Sequence, residues 1–486
     1  MSDILHLRQT GAPHRLNQNV LGLNCPVPWD VPHEDPLIVE PLRELAPALL
    51  RFPGGTVANF FNWRTGQLEV EEVPNESVYR SYIRSRVPDS HARHPNGAHM
   101  QQFAKLAQAV GAEVVLVANL ETSTIEDQVD WLQSMRRDGV LPTQIELGNE
   151  FYHNMLNDPT SRALFPDYDT TNELTRQYAE AFRRMLDPGA KLAIQASPSR
   201  FQFTSPETTS TVHYEADRIW HWDEGLRPEP WFDAVTVHPY PSMDGVAGPG
   251  ARTRFPDDPE PIFAALMARV DDGVRRCLDF LIEKVPGKEI WISEWGMGEF
   301  GHVLKGEDEP KMTNAWVHAL SRYMLTALSY PPVRWLTIHA LYANGNQWAP
   351  LRRLDEGGYG PWGTFQMLRL FHGSVNGGAS YLPVEVDRAI RRGGNGTIPD
   401  ETFADIAVGL FEREGETHLL VQNATTDTAV LDVEELHIGT PARIDAIITP
   451  DLTALAYTAP PERRDHSGHL RVELPPYSLQ RVTWTD

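Results

Sequence analysis

The sequence predicts an α/β fold, a (β/α)8 TIM barrel with a C-terminal antiparallel β-sandwich, and three observations carry that reading. Eight short, apolar, β-prone runs alternate with helix-like stretches from about residue 20 to about residue 375, the pattern of repeated β/α units. After about Tyr381 the helical pattern stops, and alternating strand patterns separated by turn residues replace it. A chain of 486 residues also has room for a barrel of roughly 250 to 400 residues and one further domain.

In chain order, the first 15 residues precede any barrel strand and are expected to lend a strand to the sandwich. Barrel strands are expected at Val20–Asn24, Ala48–Phe52, Glu113–Val117, Gln144–Gly148, Lys191–Ala196, Ala234–His238, Glu289–Glu294 and Trp335–Ala340, each short and apolar. Between them, Ala98–Val110, Ile125–Arg137, Asn172–Leu186, Pro261–Val285 and Asn314–Ser329 repeat apolar residues three and four apart, so each offers one face to the barrel. Irregular inserts are expected after strands two, five and six, at Asn62–Pro95, Ser197–Pro230 and Pro241–Pro259, the side on which barrels build their sites. Farther on, Thr417–Gln422, Ala442–Ile448 and His469–Leu474 alternate as half-buried strands do. Residues 16–378 are therefore assigned to the barrel, the candidate catalytic domain, and 379–486 to the sandwich, joined by a strand from 1–15.

Charge and composition exclude several classes of partner. With 43 basic and 66 acidic residues the net charge is −23, a surface that repels polyanions, so no nucleic-acid partner is expected. No apolar run approaches the roughly 20 residues of a membrane span, and the start of the chain has neither a basic segment nor an apolar one that would mark it for export. Cys25 and Cys277 are too few for a disulfide framework. Together these features predict a cytoplasmic protein. No metal or cofactor is expected, since His91, His94 and His99 lack a ligand-like spacing. A homo-oligomer is left open.

Two carboxylates end strand-like runs in similar settings: Glu150 closes Gln144-Ile-Glu-Leu-Gly-Asn-Glu150, and Glu294 closes Glu289-Ile-Trp-Ile-Ser-Glu294. Barrel strands converge at their C-terminal ends, which brings two such groups to one mouth. Paired carboxylates are what glycoside hydrolysis needs, one protonated to help the leaving oxygen depart and one ionised to attack the sugar or activate water. Strand alternation puts Glu146, Gly148 and Glu150 on one face, Ile290, Ile292 and Glu294 on one face, and Thr236, His238 and Tyr240 on one face. Arg51 and Tyr240 beside Glu294 would hold it ionised, and Glu150, lacking such donors, would keep the higher pKa and act as the acid. Asn149 is placed to bond a sugar hydroxyl, and Trp63, Trp295, Trp348 and Trp362 offer flat surfaces on which sugar rings stack. Each has a structural alternative: a core histidine for His238, an ion pair with Glu146 for Arg51, core packing for the tryptophans.

The set Arg51-Phe-Pro-Gly-Gly55, Gly148-Asn-Glu150, His238-Pro-Tyr240 and Ser293-Glu-Trp-Gly296 resembles the clan A retaining glycoside hydrolases. It is most similar to the α-L-arabinofuranosidase branch, with the β-glucuronidase/heparanase and β-xylosidase branches close to it. The resemblance implies a retaining exo-glycosidase acting on a carbohydrate, with Glu150 as acid/base and Glu294 as nucleophile. It implies substrate-binding or supporting roles for Arg51, Asn149, His238 and Tyr240, to which the residue reading adds Trp295 and Trp348, and it matches Gln347 to a substrate-binding Gln. The chain departs from the arabinofuranosidase pattern twice. Leu23-Asn24-Cys25 stands where those enzymes carry a furanose-gripping Glu, and Thr56 stands in place of Asn. A β-glycosidase of the glucuronidase or xylosidase type, or an inactive carbohydrate-binding protein, are the alternatives.

Overall fold

The computed structural model describes residues 4–27, 33, 35–153, 159–204, 216–241, 259–296, 313–342, 349–394, 396, 398, 400–433, 442–449, 451–454, 461–466 and 471–485. Eight parallel strands close a barrel: β1 (Leu21–Asn24), β2 (Leu49–Phe52), β3 (Glu113–Ala118), β4 (Gln144–Leu147), β5 (Lys191–Gln195), β6 (Ala234–Thr236), β7 (Glu289–Trp295) and β8 (Val333–His339). The barrel shuts where β8 pairs β1, His339 lying opposite Asn24. Inside it, Leu49, Val115, Ala193, Ala234, Trp291 and Trp335 form one buried cluster. The indoles of β7 and β8 sit 5.0 Å apart between centroids, and the alanines of β5 and β6 leave them space, a large-against-small fit that fills the axis to core density.

The inserts are more ordered than their sequence suggests. Val78–Arg93 is a helix whose N-cap Ser77 accepts from the Arg80 amide, and Pro88 within it hides the helical pattern. Ala216–Gly225 is a second helix; residues 242–258 of the third insert lie outside the described residues. The single helix expected over Pro261–Val285 is two, Glu260–Ala268 and Val274–Lys284, joined by a π turn at Arg269–Gly273. Asn314–Leu328, read from sequence as an outer-ring helix, has all fifteen residues buried, because the C-terminal domain covers the face that an outer helix would show to water.

That domain is built of two sheets. Seven strands run in the order His14–Arg15, Ser380–Leu382, Ile406–Arg413, Glu416–Asn423, Ser478–Thr485, Ala442–Ile448, Glu462–His466. A second sheet orders Val384–Val386, Ile4–Gln9, Ala429–Asp432, Arg471–Leu474, with the N-terminal strand parallel to Ala429–Asp432. Leu5, Leu7, Leu419, Val421, Leu431, Val472, Val482 and Trp484 fill the space between. The domains are tied by buried polar groups rather than by apolar contact alone. Arg322 donates to Gln422 at 2.9 Å and to Asp271 of the π turn at 3.2 Å, and Arg269 pairs with Glu401 at 2.9 Å. Among the described residues no helix is long and apolar enough to cross a membrane.

Candidate active site

Everything at the mouth is organised around Arg51, the third residue of β2, whose side chain is wholly buried. Its Nε and Nη2 donate to the two oxygens of Glu146 on β4, at 2.9 and 2.7 Å. Nη2 also reaches Oδ1 of Asn149 at 2.8 Å, and Nη1 reaches Oε1 of Glu294 at 2.6 Å. A guanidinium presents five N–H groups in a fixed fork, so one buried cation holds three side chains in register. Arg51 thus makes both the structural pair with Glu146 and the contact with Glu294.

Glu294 reaches the mouth by a break in strand alternation. Ile292 pairs Leu336 and Trp295 pairs Ile338, three residues advancing on β7 against two on β8, which is a β-bulge. Trp291 points into the barrel, so strict alternation would send Glu294 outward with Ile290 and Ile292; the extra residue lets Ser293 and Glu294 both face the mouth. Tyr240 donates to Oε2 of Glu294 at 2.8 Å, and Nδ1 of His339 lies 3.5 Å from the same oxygen. The backbone passes close by at Gly55, where a Cβ would overlap Oε1 of Glu294.

Glu150 lies one loop beyond β4. Gly148 at φ +85° and Glu150 itself at φ +53° turn the chain sharply, a left-handed conformation unusual for a non-glycine residue and common at working sites. Its Oε1 accepts from Nδ1 of His238 at 2.8 Å and from the Tyr152 hydroxyl at 3.3 Å, and its Oε2 accepts from Thr56 at 3.3 Å. Behind it, Nε2 of His238 meets the Ser293 hydroxyl at 2.9 Å, and that hydroxyl donates to Oε2 of Glu146 at 3.2 Å. One oxygen of Glu150, one of Glu294 and a nitrogen of His238 lie within 4.8 Å of one another.

The electrostatics favour the ionised form of both carboxylates. Burial opposes ionisation of Glu294, but the charges of His238, His339 and Arg51 and the Tyr240 hydrogen bond outweigh it and hold the carboxyl down at about 2. For Glu150 burial also opposes ionisation, and His238 pulls the other way by hydrogen bond and charge, leaving it lowered although the charge of Glu294 pushes it up. His238 is raised: burial disfavours its charge, but Glu294 and Glu150 overcome that. The sequence expectation that Glu150 lacks donors is corrected, because His238, Tyr152 and Thr56 all face it. A metal ion fits this trio poorly. Both oxygens of Glu294 are already engaged, by a permanent cation and by a phenol, and a divalent ion would stand against the Arg51 charge.

The structure gathers Arg51, Asn149, Glu150, His238, Tyr240 and Glu294 into one site. Asn149 is pinned there, its carbonyl oxygen taken by Arg51 and its amide donating to Thr56 at 3.3 Å. Trp295 is not part of the mouth. The bulge turns it away, and it is buried and stacked on Tyr323 of the Asn314–Leu328 helix with centroids 5.1 Å apart, so it gives no surface to a sugar. Trp63 stacks on Trp131, and Arg352 covers Trp362. Gln347 and Trp348 fall within 343–348, outside the described residues.

Sequence reading gave no catalytic or binding role to five contributors, Tyr152 beside Glu150 among them. Thr56 follows the Pro-Gly-Gly turn; Ser293 precedes Glu294; Glu146 was noted only as a partner for Arg51; and His339 ends β8 as Glu294 nears the end of β7. The last could have been found by asking which residue closes each strand.

No family model matches the chain. A curated relative, the intracellular exo-α-(1→5)-L-arabinofuranosidase of Acetivibrio thermocellus, is 26% identical over 186 residues, 36% of this chain and 35% of that protein. The alignment thus spans about a third of that relative's length. Solved structures align over the whole chain. A GH51 arabinofuranosidase from Xanthomonas axonopodis pv. citri matches with TM-score 0.70 and 14% identity, over 99% of this chain and 100% of that one. The α-L-arabinofuranosidase of Thermotoga maritima, in complex with arabinose, matches at 0.66 and 13% over 99% and 100%. A Paenibacillus polymyxa xyloglucanase of glycoside hydrolase family 44 matches at 0.60 and 12% over 99% and 99%. The chain shares its fold with the arabinofuranosidases. In the segment Leu23-Asn24-Cys25 at the end of β1, Asn24 is fully buried, its amide 2.5 Å from Nδ1 of His339.

Proposed function

We propose that this chain is a retaining exo-glycosidase, α-L-arabinofuranosidase-like, that hydrolyses a terminal glycosidic bond in small oligosaccharides or glycosides by double displacement. The observation that carries the reading is the pairing of an ionised Glu294, gripped by Arg51 and Tyr240, with Glu150 on the proton-bearing His238, their closest oxygens no more than 4.8 Å apart. Double-displacement enzymes hold their carboxyl groups about 5 to 5.5 Å apart, whereas inverting enzymes leave roughly 6.5 to 9.5 Å for a water. In the first step Glu294 attacks the anomeric carbon while the proton shared by Glu150 and His238 passes through Glu150 to the departing oxygen. In the second, Glu150 takes a proton from water as that water attacks the same carbon and frees Glu294. The name of the Acetivibrio relative and the fold shared with arabinofuranosidases agree with this.

A β-glycosidase of the glucuronidase or xylosidase type is the second reading, and Asn24 favours it. The end of β1 offers an amide whose nitrogen meets His339 and whose oxygen has no partner among the described residues, not a carboxylate to grip a furanose. An inactive carbohydrate-binding protein is disfavoured, since both carboxylates stand in place. An intracellular site of action is proposed, on the relative's name and on a cysteine count of two, too few for a disulfide framework.

Aryl glycosides of arabinose, xylose, glucuronic acid, galactose and glucose discriminate these readings, with NMR following the anomer first released. The arabinofuranoside should be cleaved fastest with its configuration kept. Release of the opposite anomer would exclude double displacement, and hydrolysis of none of the five would exclude the enzyme reading.

A further inference from the structure

Glu146 and Ser293 are buried beneath the mouth, yet they connect to both catalytic carboxylates. Glu146 is buried at the floor of the site and carries Arg51, which holds Glu294. It also accepts from Ser293, which meets His238, which meets Glu150. The proton count along this second line is constrained. A carboxylate paired with Arg51 through both oxygens offers only lone pairs, so the one proton between Ser293 Oγ and Glu146 Oε2, 3.2 Å apart, is the hydroxyl's own. With that proton committed, Ser293 turns a lone pair toward Nε2 of His238, and the contact of 2.9 Å requires Nε2 to carry hydrogen. If Ser293 donated to His238 instead, its oxygen would face the Glu146 oxygen with no proton between them.

Resting on the glycosidase reading, we propose that Glu146 and Ser293 are positioning residues that lock the His238 proton on Nε2, so that Nδ1 and Glu150 share the single proton that catalysis moves. The consequence appears when that proton is gone. In the first step it passes from the Glu150–His238 pair to the departing oxygen as the C–O bond breaks. A free imidazole would then shift its remaining hydrogen to Nδ1 and bond the Glu150 carboxylate, making it a poor base. The lock forbids the shift and leaves a bare Nδ1 lone pair 2.8 Å from Oε1. Two facing acceptors raise the pair's affinity for a proton, and water supplies it in the second step as it attacks and releases the sugar from Glu294. The groups that face the pair are Glu294 and Ser293 from β7, Arg51 from β2, Glu146 from β4, Tyr152 and His153 from the loop after β4, Tyr240 after β6, His339 from β8 and Thr56. Altering the Ser293 hydroxyl removes only its own contacts, to His238 and Glu146, and leaves the other side chains in place.

The test is Ser293→Ala, read first without substrate. In protein labelled with 15N-histidine, the His238 resonance, assigned by its loss in His238→Gln, should show hydrogen on Nε2 in the wild type. In Ser293→Ala the neutral ring should show it on Nδ1. With a hydrolysed glycoside, the alkaline limb of kcat/KM should move down by about one pH unit, the scale of one hydrogen bond, and return with Ser293→Thr. Glu146→Gln, which keeps the volume, should give the same change of tautomer if Ser293→Ala proves unfolded. A wild-type ring neutral with hydrogen on Nδ1, or a tautomer and alkaline limb unmoved in the variants, overturns the lock. Because the tautomer is read without turnover, the lock stands or falls separately from the glycosidase reading, which the aryl glycoside panel decides.

Discussion

Gly55 and Glu294 are in such close contact that the nucleophile candidate occupies the space a side chain at position 55 would need. Glu294 can yield that space only by giving up Arg51 and Tyr240, which hold its oxygens at 2.6 and 2.8 Å. Gly55→Ala should therefore push the carboxylate out of line with both donors. A loss of at least about 100-fold in kcat/KM is expected, equivalent to roughly 2.7 kcal/mol of transition-state stabilisation, with the folded state intact by circular dichroism. Activity within threefold of wild type would mean that the turn relaxes without moving Glu294.

The ionisation of Glu294 should be visible in stability. Its carboxyl titrates at about 2 in the folded chain against 4.5 as the ordinary value. A depressed carboxylate stabilises the fold fully above the unfolded value, and that contribution fades as pH falls from about 4.5 toward about 2. Thermal unfolding of wild type and Glu294→Gln should be compared from pH 7 downward, as far as both stay folded. The wild type should lose stability faster than the variant below about pH 4.5. Parallel curves would show that Arg51 and the histidines do not favour the charged form.

Removing Glu401 should damage the joint between the domains. It is buried, and both of its oxygens accept from Arg269 at 2.9 to 3.0 Å while Arg276 adds a contact at 2.8 Å. Glu401→Ala takes one partner out of a buried ion pair with Arg269, a change that typically costs about 3 to 5 kcal/mol. Urea unfolding should show the loss, without a change in KM, since the pair lies away from the mouth. A cost below about 1 kcal/mol would mean that water reaches the guanidinium.

The sequence made the barrel legible because each strand is a short apolar run with its own boundary, as at Glu113–Ala118 and Lys191–Gln195. Glu150 and Glu294 were legible for the same reason, as charges closing such runs. What failed was anything set by register or by a neighbour in space. Trp295 read as a sugar platform because alternation cannot show a bulge that one partner strand creates. The Asn314–Leu328 helix read as half-exposed because its second buried face is made by strands more than 75 residues later. Thr56 and Ser293 carry no signature of their own and His339 only its place at a strand end; they matter because closure of the barrel puts β2, β4, β7 and β8 around one point.

The roles of the two glutamates separate by what each step of a double displacement requires. Glu150→Ala removes the acid of the first step and the base of the second but leaves Glu294 with Arg51 and Tyr240 intact. A dinitrophenyl glycoside needs little protonation to depart, so it should still load sugar onto Glu294. The covalent intermediate should then accumulate and be detected by mass on the peptide containing Glu294, since nothing activates water. Azide needs no base; it should restore turnover and give a glycosyl azide with the substrate's configuration. Glu294→Ala lacks the nucleophile and should be inactive even on the activated substrate, and any azide product it forms should have the opposite configuration, because only one displacement remains. The reverse pattern would exchange the two roles, while full activity of both variants on the natural substrate would remove these carboxylates from the chemistry altogether.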